Sequence, residues 1–578
     1  MAATEKSDVV IVGGVAAGPK TAATLARRRP ELKVTLFERG EFISYGTCGM
    51  PYFASGDIGE FAELTRTSWG AERSPEFFRR AKGFEVVTGA EVMAIDRERK
   101  CVTVRRVDSG ETFEHAYDKL VFATGSNPNA APFPTSDSPN VRHFTRPADA
   151  LGFRRLAETG KVGEAVIIGA GFIGCELAEA TGGLWGIGTT IIERENQVLP
   201  YVLDPEMGAL VQDELVRQDV TVITGATVKE VRADENGSVT TVYAGGNGSS
   251  GEELTAGGDY VFLSVGVSPE VSLARACGLE IGSTGGIKVN EQMQTSDLDI
   301  FAGGDCVESV NRITGREMYL PMGSLANRHG RVIAETIVGN PARFPGVVGA
   351  FLVKVYDINA GSVGLSEHAA RRAGLAHRAV WGSFPDKPDY YPEYASIVVK
   401  MVYDPGDHRL LGLQAVGKGD ICRRIDVFST YLQRGARVED LLEHEHGYAP
   451  PYAEALDPLF HLAAVAQAQE KGIDIVNPGS LASLEAGQAL ILDVRQPDEI
   501  KAKPLFGDDD SQSAEVLAIP LEDLSDRLND LDRGKNIYIV CRRGPRSYQA
   551  TIILRAAGFE NVHVIGGGTT AQTGKERS

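Results

Sequence analysis

Cysteine is scarce in this sequence. Seven are spread over 578 residues, odd in number and scattered, which excludes a disulfide framework and fits a reducing cytoplasm. No apolar run reaches the ~18 residues of a membrane span, so none is expected. Positive charge is also short: 59 Lys and Arg stand against 78 Asp and Glu, a net charge of −19. That excludes nucleic acid as the main partner, because a phosphate backbone calls for a basic face. The N-terminus has no basic segment ahead of an apolar stretch, so no secretory signal is expected. No metal-ligand set is read from the sequence.

What is present is a globular composition, 43% hydrophobic and 24% charged, in a chain too long for one core. Three to five domains are expected. Asp8 to Gly18 reads as a buried strand, a glycine turn and the start of a helix. In this dinucleotide fingerprint Gly13 makes the turn and Gly18 lets helix and strand pack closely, while Val15 departs from the middle glycine. The next strand, Lys33 to Phe37, ends in Glu38, 25 residues after Gly13 and followed by Arg39. An acid there binds the two ribose hydroxyls of an adenosine. The pattern recurs complete in Ala165 to Gly174, with Gly169, Gly171 and Gly174 followed by Glu176 on a helix. Its acid is Glu193, 24 residues after Gly169; it favours a free 2′-hydroxyl, hence NADH, and Arg194 beside it softens that preference. Two such folds mean two dinucleotides and electrons passing between them.

Cys48 lies in Ser44 to Tyr52, between Gly46 and Gly49 and just before Pro51. Flanking glycines let the backbone approach something flat, and the proline stiffens the turn. A thiol held this way can cycle between thiolate and mixed disulfide. Near the C-terminus, Asn536 to Cys541 reads as a strand ending in a cysteine, then Arg542, Arg543, Gly544, Pro545, Arg546 and Ser547. A cysteine at the foot of a strand, a tight loop and then a helix make an anion cradle. A cysteine phosphatase needs Arg six positions on, where Ser547 stands, so phosphate chemistry is disfavoured.

Val121 to Ser126, with Thr124 and Gly125, and Asp299 to Asp305 are further strands running into glycine turns. In this order the four motifs resemble the flavoprotein pyridine-nucleotide disulfide reductases over roughly residues 8 to 460. The resemblance implies that the first fold binds FAD, with Asp305 on its ribityl chain. The second binds NAD(P)H, with Glu176 near the nicotinamide. Phe53 stands where the two-cysteine branch has its second thiol, so the single Cys48 resembles the coenzyme A disulfide and persulfide reductases. That branch places Arg27 and Ser44 against coenzyme A. It sends tyrosines of the kind in Tyr390-Tyr391-Pro392 and Tyr448 to Tyr452 into the partner subunit's site, where a hydroxyl can donate to a leaving thiolate. The family's Tyr-Tyr-Pro-Gly-Ala is Tyr-Tyr-Pro-Glu-Tyr-Ala here. The stretch around Leu492 to Arg495, Cys541 and Gly566 to Gly568 resembles a rhodanese domain, one whose closing helix is short or missing.

The expected fold is α/β throughout. FAD-binding residues 1–150 and 266–335 enclose an NAD(P)H-binding unit, 151–265. An α+β dimerisation domain (336–460), a linker (461–477) and an α/β rhodanese domain (478–578) follow. Residues 234–259, rich in Gly, Ser, Asn and Glu, read as an exposed hairpin. The expected protein is a cytoplasmic homodimer using FAD, NADH and coenzyme A, the last as substrate or bound cofactor. Cys48 reduces persulfide, polysulfide or coenzyme A disulfide, and Cys541 delivers sulfane sulfur. Two alternatives stay open: an NADH oxidase or peroxidase with Cys48 as a sulfenic acid, and a sulfur-relay or redox-sensing protein.

Overall fold

The computed structural model describes residues 5–235, 237–247, 251–484, 487–506 and 514–573. A continuous apolar run makes a strand buried on both faces. Glu5–Val12 does so in the first sheet, parallel between Val34–Phe37 and Thr112–Phe122. Cys101–Arg106 and Ala90–Asp96 continue the sheet antiparallel, and Ile300–Ala302 joins it from far along the chain. The first unit is therefore interrupted by the second. The second sheet is parallel, in the order Thr221–Ile223, Gly188–Ile192, Glu164–Ile168, Tyr260–Leu263 and Val141–Arg142. Val141–Arg142 thus lies in the second sheet, ahead of the expected boundary at 150. The 234–259 stretch supplies Val239–Gly245 and Glu253–Gly258, which pair as a hairpin and continue onto Ala226–Ala233.

A third sheet of five antiparallel strands runs Ala350–Val355, Ile358–Gly364, Leu410–Gly417, Ser396–Tyr403 and Arg378–Pro385. The fourth is parallel: Asp474–Val476, Val562–Ile565, Asn536–Val540, Ala489–Asp493 and Glu515–Ala518. The overall α/β class is as expected.

The linker over 461–477 is not. Pro458–Glu470 is a helix whose Leu459, Leu462, Ala463 and Ala466 lie in the core of the third unit, and Asp474–Val476 is an edge strand of the fourth sheet. An Ala- and Gln-rich composition mimics a linker because alanine carries little hydrophobic signal, yet it is a strong helix former. The two units also share a core: Ile473, Ile475 and Val564 pack with Ala379, Trp381 and Val402. Ser383 donates to the Gly567 carbonyl at 2.6 Å. The expectation about a closing helix concerns residues after 573, which lie outside those described.

Where the second and third units meet, Lys400 is fully buried among three carboxylates. Its Nζ lies 2.8 Å from Asp204 and 2.6 Å from Glu367, and it also bonds Glu206. Burial pulls the Lys400 ammonium down, and Glu206, Asp204 and Glu367 outweigh it, leaving the group above its ordinary range. Removing one partner of such a cluster strands buried charge. Lys400→Met is therefore expected to destabilise the protein by about 3–5 kcal/mol. The urea midpoint measures this, and a wild-type midpoint would show the cluster to be neutral.

Candidate active site

The two glycine turns are built alike. Gly13 and Gly169 have φ of +108° and +104°, the left-handed region that favours glycine. A Cβ at Gly18 would sit 2.0 Å from the Gly13 carbonyl oxygen, and one at Gly174 2.0 Å from that of Gly169, so helix and strand close only on glycine. Glu38 accepts from the Gly14 and Gly40 amides, each at 2.7 Å. Glu193 repeats this with Ala170 at 2.7 Å and Glu195 at 2.8 Å. Each carboxylate is thus fixed at the rim of its turn. Arg194 bonds Glu195 and Tyr201 instead of Glu193. A Cβ at Gly171 would meet nothing within 4 Å, so the space before the second turn is open. Val15 and Arg39 flank the first turn and its acid.

Thr124 donates to the Glu270 carbonyl at 2.7 Å, and Gly125 turns with φ +74°. Asp305 follows a glycine pair, and burial pushes its carboxyl up, opposed by Ser126 and the Met322 amide. Among the described residues, the Tyr319 hydroxyl nearby is buried without a partner, as is that of Ser264 behind the second turn. These residues fit a dinucleotide at each turn: glycine clefts, rim carboxylates and hydroxyls waiting for an acceptor.

Cys48 is exposed in a single 3-10 turn, Thr47–Gly49, that runs into the helix Met50–Ser55 with Pro51 in its first turn. A Cβ on Gly49 would strike Leu64 Cδ2 at 2.4 Å. Ser44 is left-handed at φ 51°; its amide donates to the Gly14 carbonyl at 2.8 Å and its carbonyl accepts from Arg73. The cysteine loop is thus tied to the first glycine turn. Behind the helix, Tyr52, Ser55, Asp57, Glu176 and Glu179 line a cavity of about 10 Å³, room for one water. Burial first, and then Glu179, push Glu176 up to about 7. Burial and Glu176 push Tyr52 up to about 12. Arg28 pairs with Glu335 and Arg29 with Glu31, whereas Arg27 bonds only Thr24 of its own helix among the described residues. Arg27 is the one of the three left for an anion.

Tyr390 and Tyr448 are 72% and 51% exposed, and the neighbouring Tyr448 hydroxyl raises the Tyr390 phenol above its ordinary range. Tyr391 is half-buried. Glu393, where the resembled family has glycine, is left-handed at φ 65°, so the turn is kept at the cost of a strained residue.

Cys541 is 1% exposed, and the Gly544 amide donates to its Sγ at 3.0 Å. Gly568 closes over it: a Cβ there would lie 2.3 Å from the Cys541 carbonyl oxygen. Arg542 is exposed. Arg543 has buried Nε and Nη2 with no partner among the described residues, while its Nη1 lies 3.8 Å from Asp389 beside Tyr390. Arg546 lies close enough to Cys541 for their charges to interact, and it is also paired. Glu499 takes that guanidinium at 2.6 and 2.8 Å, and its own carboxyl is held down at about 2 by Arg546. No local signal links residues 499 and 546; the pair forms only when the fourth sheet does. The buried Asp493–Arg495 pair, at 2.7 Å, holds the strand end of the Leu-Asp-Val-Arg run.

Comparison with known proteins adds the following. Residues 7–322 match the family model for the pyridine nucleotide-disulphide oxidoreductases, 351–459 the dimerisation domain of that family, and 480–574 a rhodanese-like domain. A CoA-dependent NAD(P)H sulfur oxidoreductase of Pyrococcus abyssi is 34% identical over 460 residues, 80% of this chain and 98% of that one. An NAD-dependent persulfide reductase from A. fulgidus superposes with TM-score 0.90 at 37% identity, covering 97% of this chain and 99% of that one. Reduced CoADR-RHD of Bacillus anthracis gives TM-score 0.87 at 32% identity, covering 98% and 97%. No helix among the described residues is long and apolar enough to cross a membrane.

Proposed function

The chain belongs to the pyridine nucleotide-disulphide oxidoreductase family, and we propose that it is an FAD-dependent NADH:persulfide, polysulfide and coenzyme A disulfide reductase with a built-in sulfur-loading module. The observation that carries this is the pairing, in one chain, of an exposed thiol beside a dinucleotide turn with a buried thiol under a loop amide. Bound at the first turn, FAD would supply the relay of an electron pair from nicotinamide to sulfur. Glu38 and Asp305 would hold it, and Glu193 would take the ribose hydroxyls of NADH in the second cleft.

The Cys48 thiolate attacks one sulfur of the acceptor. A Cys48–sulfur bond forms, the acceptor's sulfur–sulfur bond breaks, and one thiolate or hydrosulfide leaves. Two electrons then cleave the mixed disulfide, returning the Cys48 thiolate and a second thiol. The neighbouring Tyr390 and Tyr448 hydroxyls are suited to donate a proton to a leaving thiolate, and Arg27 and Ser44 to hold coenzyme A. Their exposure in a single chain fits a site completed by a second copy joined through the third unit, in a cytoplasmic homodimer. Cys541 carries sulfane sulfur as a persulfide. An oxidase or peroxidase has no use for the Cys541 cradle, and the full-length likeness to a persulfide reductase favours the sulfur reading.

The test is steady-state oxidation of NADH and NADPH with coenzyme A persulfide, coenzyme A disulfide, polysulfide and oxygen side by side. The sulfur acceptors are expected to exceed oxygen in kcat/KM, and NADH to exceed NADPH by roughly tenfold or more, because Glu193 would repel a 2′-phosphate. Fastest turnover with oxygen would overturn the sulfur reading; a preference for NADPH would overturn the role of Glu193.

A further inference from the structure

The helix that follows Cys48 belongs by chain order to the first unit, yet it is packed into the second. Met50, Phe53 and Ala54, exposed by 5% or less, share a core with Ala165, Ile167, Leu177 and Ala178 of the nucleotide-binding fold. The carbonyls at its C-terminal end, which a helix leaves without internal partners, are taken by donors from that same unit. Arg154, on the helix Pro147–Glu158, donates from Nη1 to the Phe53 carbonyl at 2.6 Å and reaches the Ile58 carbonyl at 3.5 Å. Trp185, in the turn after the helix Phe172–Gly182, donates from Nε1 to the Ala54 carbonyl at 2.7 Å.

The Arg154 guanidinium also lies between two rings, 5.2 Å from the Phe53 centroid and 5.0 Å from that of Trp185. Its side chain is 13% exposed, and Nε is held by Glu158 at 2.7 Å. Gly56 ends the helix with φ 99°, and a Cβ there would strike Leu184 beside Trp185 at 2.4 Å. A helix this short has no stability of its own, so its place is set by what holds it. A charge-assisted bond from a planar cation stacked between aromatic rings is a rigid form of attachment.

We propose that Arg154 and Trp185 are positioning residues for Cys48, fastening its helix to the nucleotide-binding unit so that the thiol is placed by the unit that receives NADH. The inference rests on the reading of Cys48 as the nucleophile. It assigns the two residues no contact with substrate or cofactor: they act through the carbonyls of Phe53, Ala54 and Ile58. Removing the clamp should therefore disturb electron transfer to sulfur at Cys48 while leaving the arrival of electrons from NADH intact.

The experiment uses R154M, R154K and W185F in the full-length, FAD-loaded protein. Four readouts are compared: hydrogen exchange over residues 50–58, peptide-resolved iodoacetamide labelling of Cys48, bleaching of the flavin by NADH, and turnover with coenzyme A disulfide. In Arg154→Met, exchange over 50–58 is expected to speed up roughly tenfold. Cys48 labelling should also accelerate, and kcat should fall roughly tenfold to a hundredfold, the scale of a misplaced reacting group. Flavin bleaching by NADH should stay within about twofold, and KM for NADH should not move. Arg154→Lys keeps the charge without the planar stack and should recover part of the loss. Trp185→Phe keeps a ring and loses the N–H, so it should shift exchange and turnover in the same direction by less.

Wild-type exchange and turnover in both Arg154→Met and Trp185→Phe would overturn the proposal. Slowed bleaching or lost flavin in Trp185→Phe would also overturn it, since the residues would then serve the fold or the nucleotide site. If Cys48→Ser keeps its turnover, the nucleophile reading fails instead, and the exchange data still report whether the clamp holds the helix.

Discussion

Cys48→Ser is expected to lower turnover with persulfide, polysulfide and coenzyme A disulfide by roughly a thousandfold or more, the scale on which loss of an activated nucleophile is felt. NADH should still bleach the bound flavin, because Glu38, Asp305 and Glu193 are untouched and the substituted side chain lies on an exposed 3-10 turn. Serine is nearly isosteric with cysteine, and its hydroxyl is a far weaker nucleophile at neutral pH. Gly49 and Leu64 should close on each other as before. Rapid mixing with NADH in the absence of an acceptor, followed by acceptor addition, separates the two halves. Wild-type turnover of Cys48→Ser with every sulfur acceptor would remove the central claim.

The second large effect is a separation of activities. Cys541→Ala is expected to lose thiosulfate- or polysulfide-to-thiol transfer by roughly a thousandfold or more, yet keep NADH-dependent reduction of coenzyme A disulfide within about twofold. The loop amide of Gly544 is aimed at Sγ, and Gly568 covers the loop, so the cradle serves the sulfur and little else. Both activities are measured on the same preparation, with flavin content as the check on folding. Loss of coenzyme A disulfide reduction with FAD still bound would make the two cysteines one obligatory relay. Truncation before residue 476 is a poorer test. It would strip Val564 from the core it shares with Ile475, Trp381 and Val402, and free the Ser383 hydroxyl that now holds Gly567.

Much of the fold and site was legible because it rests on local chemistry. A glycine turn after a buried strand needs φ values that other residues resist at Gly13 and Gly169, and a helix–strand approach too close for a Cβ at Gly18 and Gly174. The acids at the strand ends, the glycine-flanked Cys48 and the loop after Cys541 are likewise contiguous patterns. The segment 461–477 misled because its alanines and glutamines say little about burial, and burial is decided by the neighbour. The pairing of Arg546 with Glu499 was not legible because the two are far apart in sequence.

The sequence by itself determined the α/β architecture, the two glycine turns, the glycine-flanked loop of Cys48 and the strand, tight loop and helix around Cys541. Each depends on residues within a few positions of one another, where backbone sterics and hydrogen bonding act directly. Only the tertiary structure decided which charges remain available. It neutralised Arg546 on Glu499, left Arg27 without a carboxylate among the described residues and sank Lys400 among Asp204, Glu206 and Glu367. It also decided that the Cys48 helix is held by Arg154 and Trp185 of another unit. Charge pairing and packing act through space over a few ångströms, and chain separation carries no information about which groups will meet there.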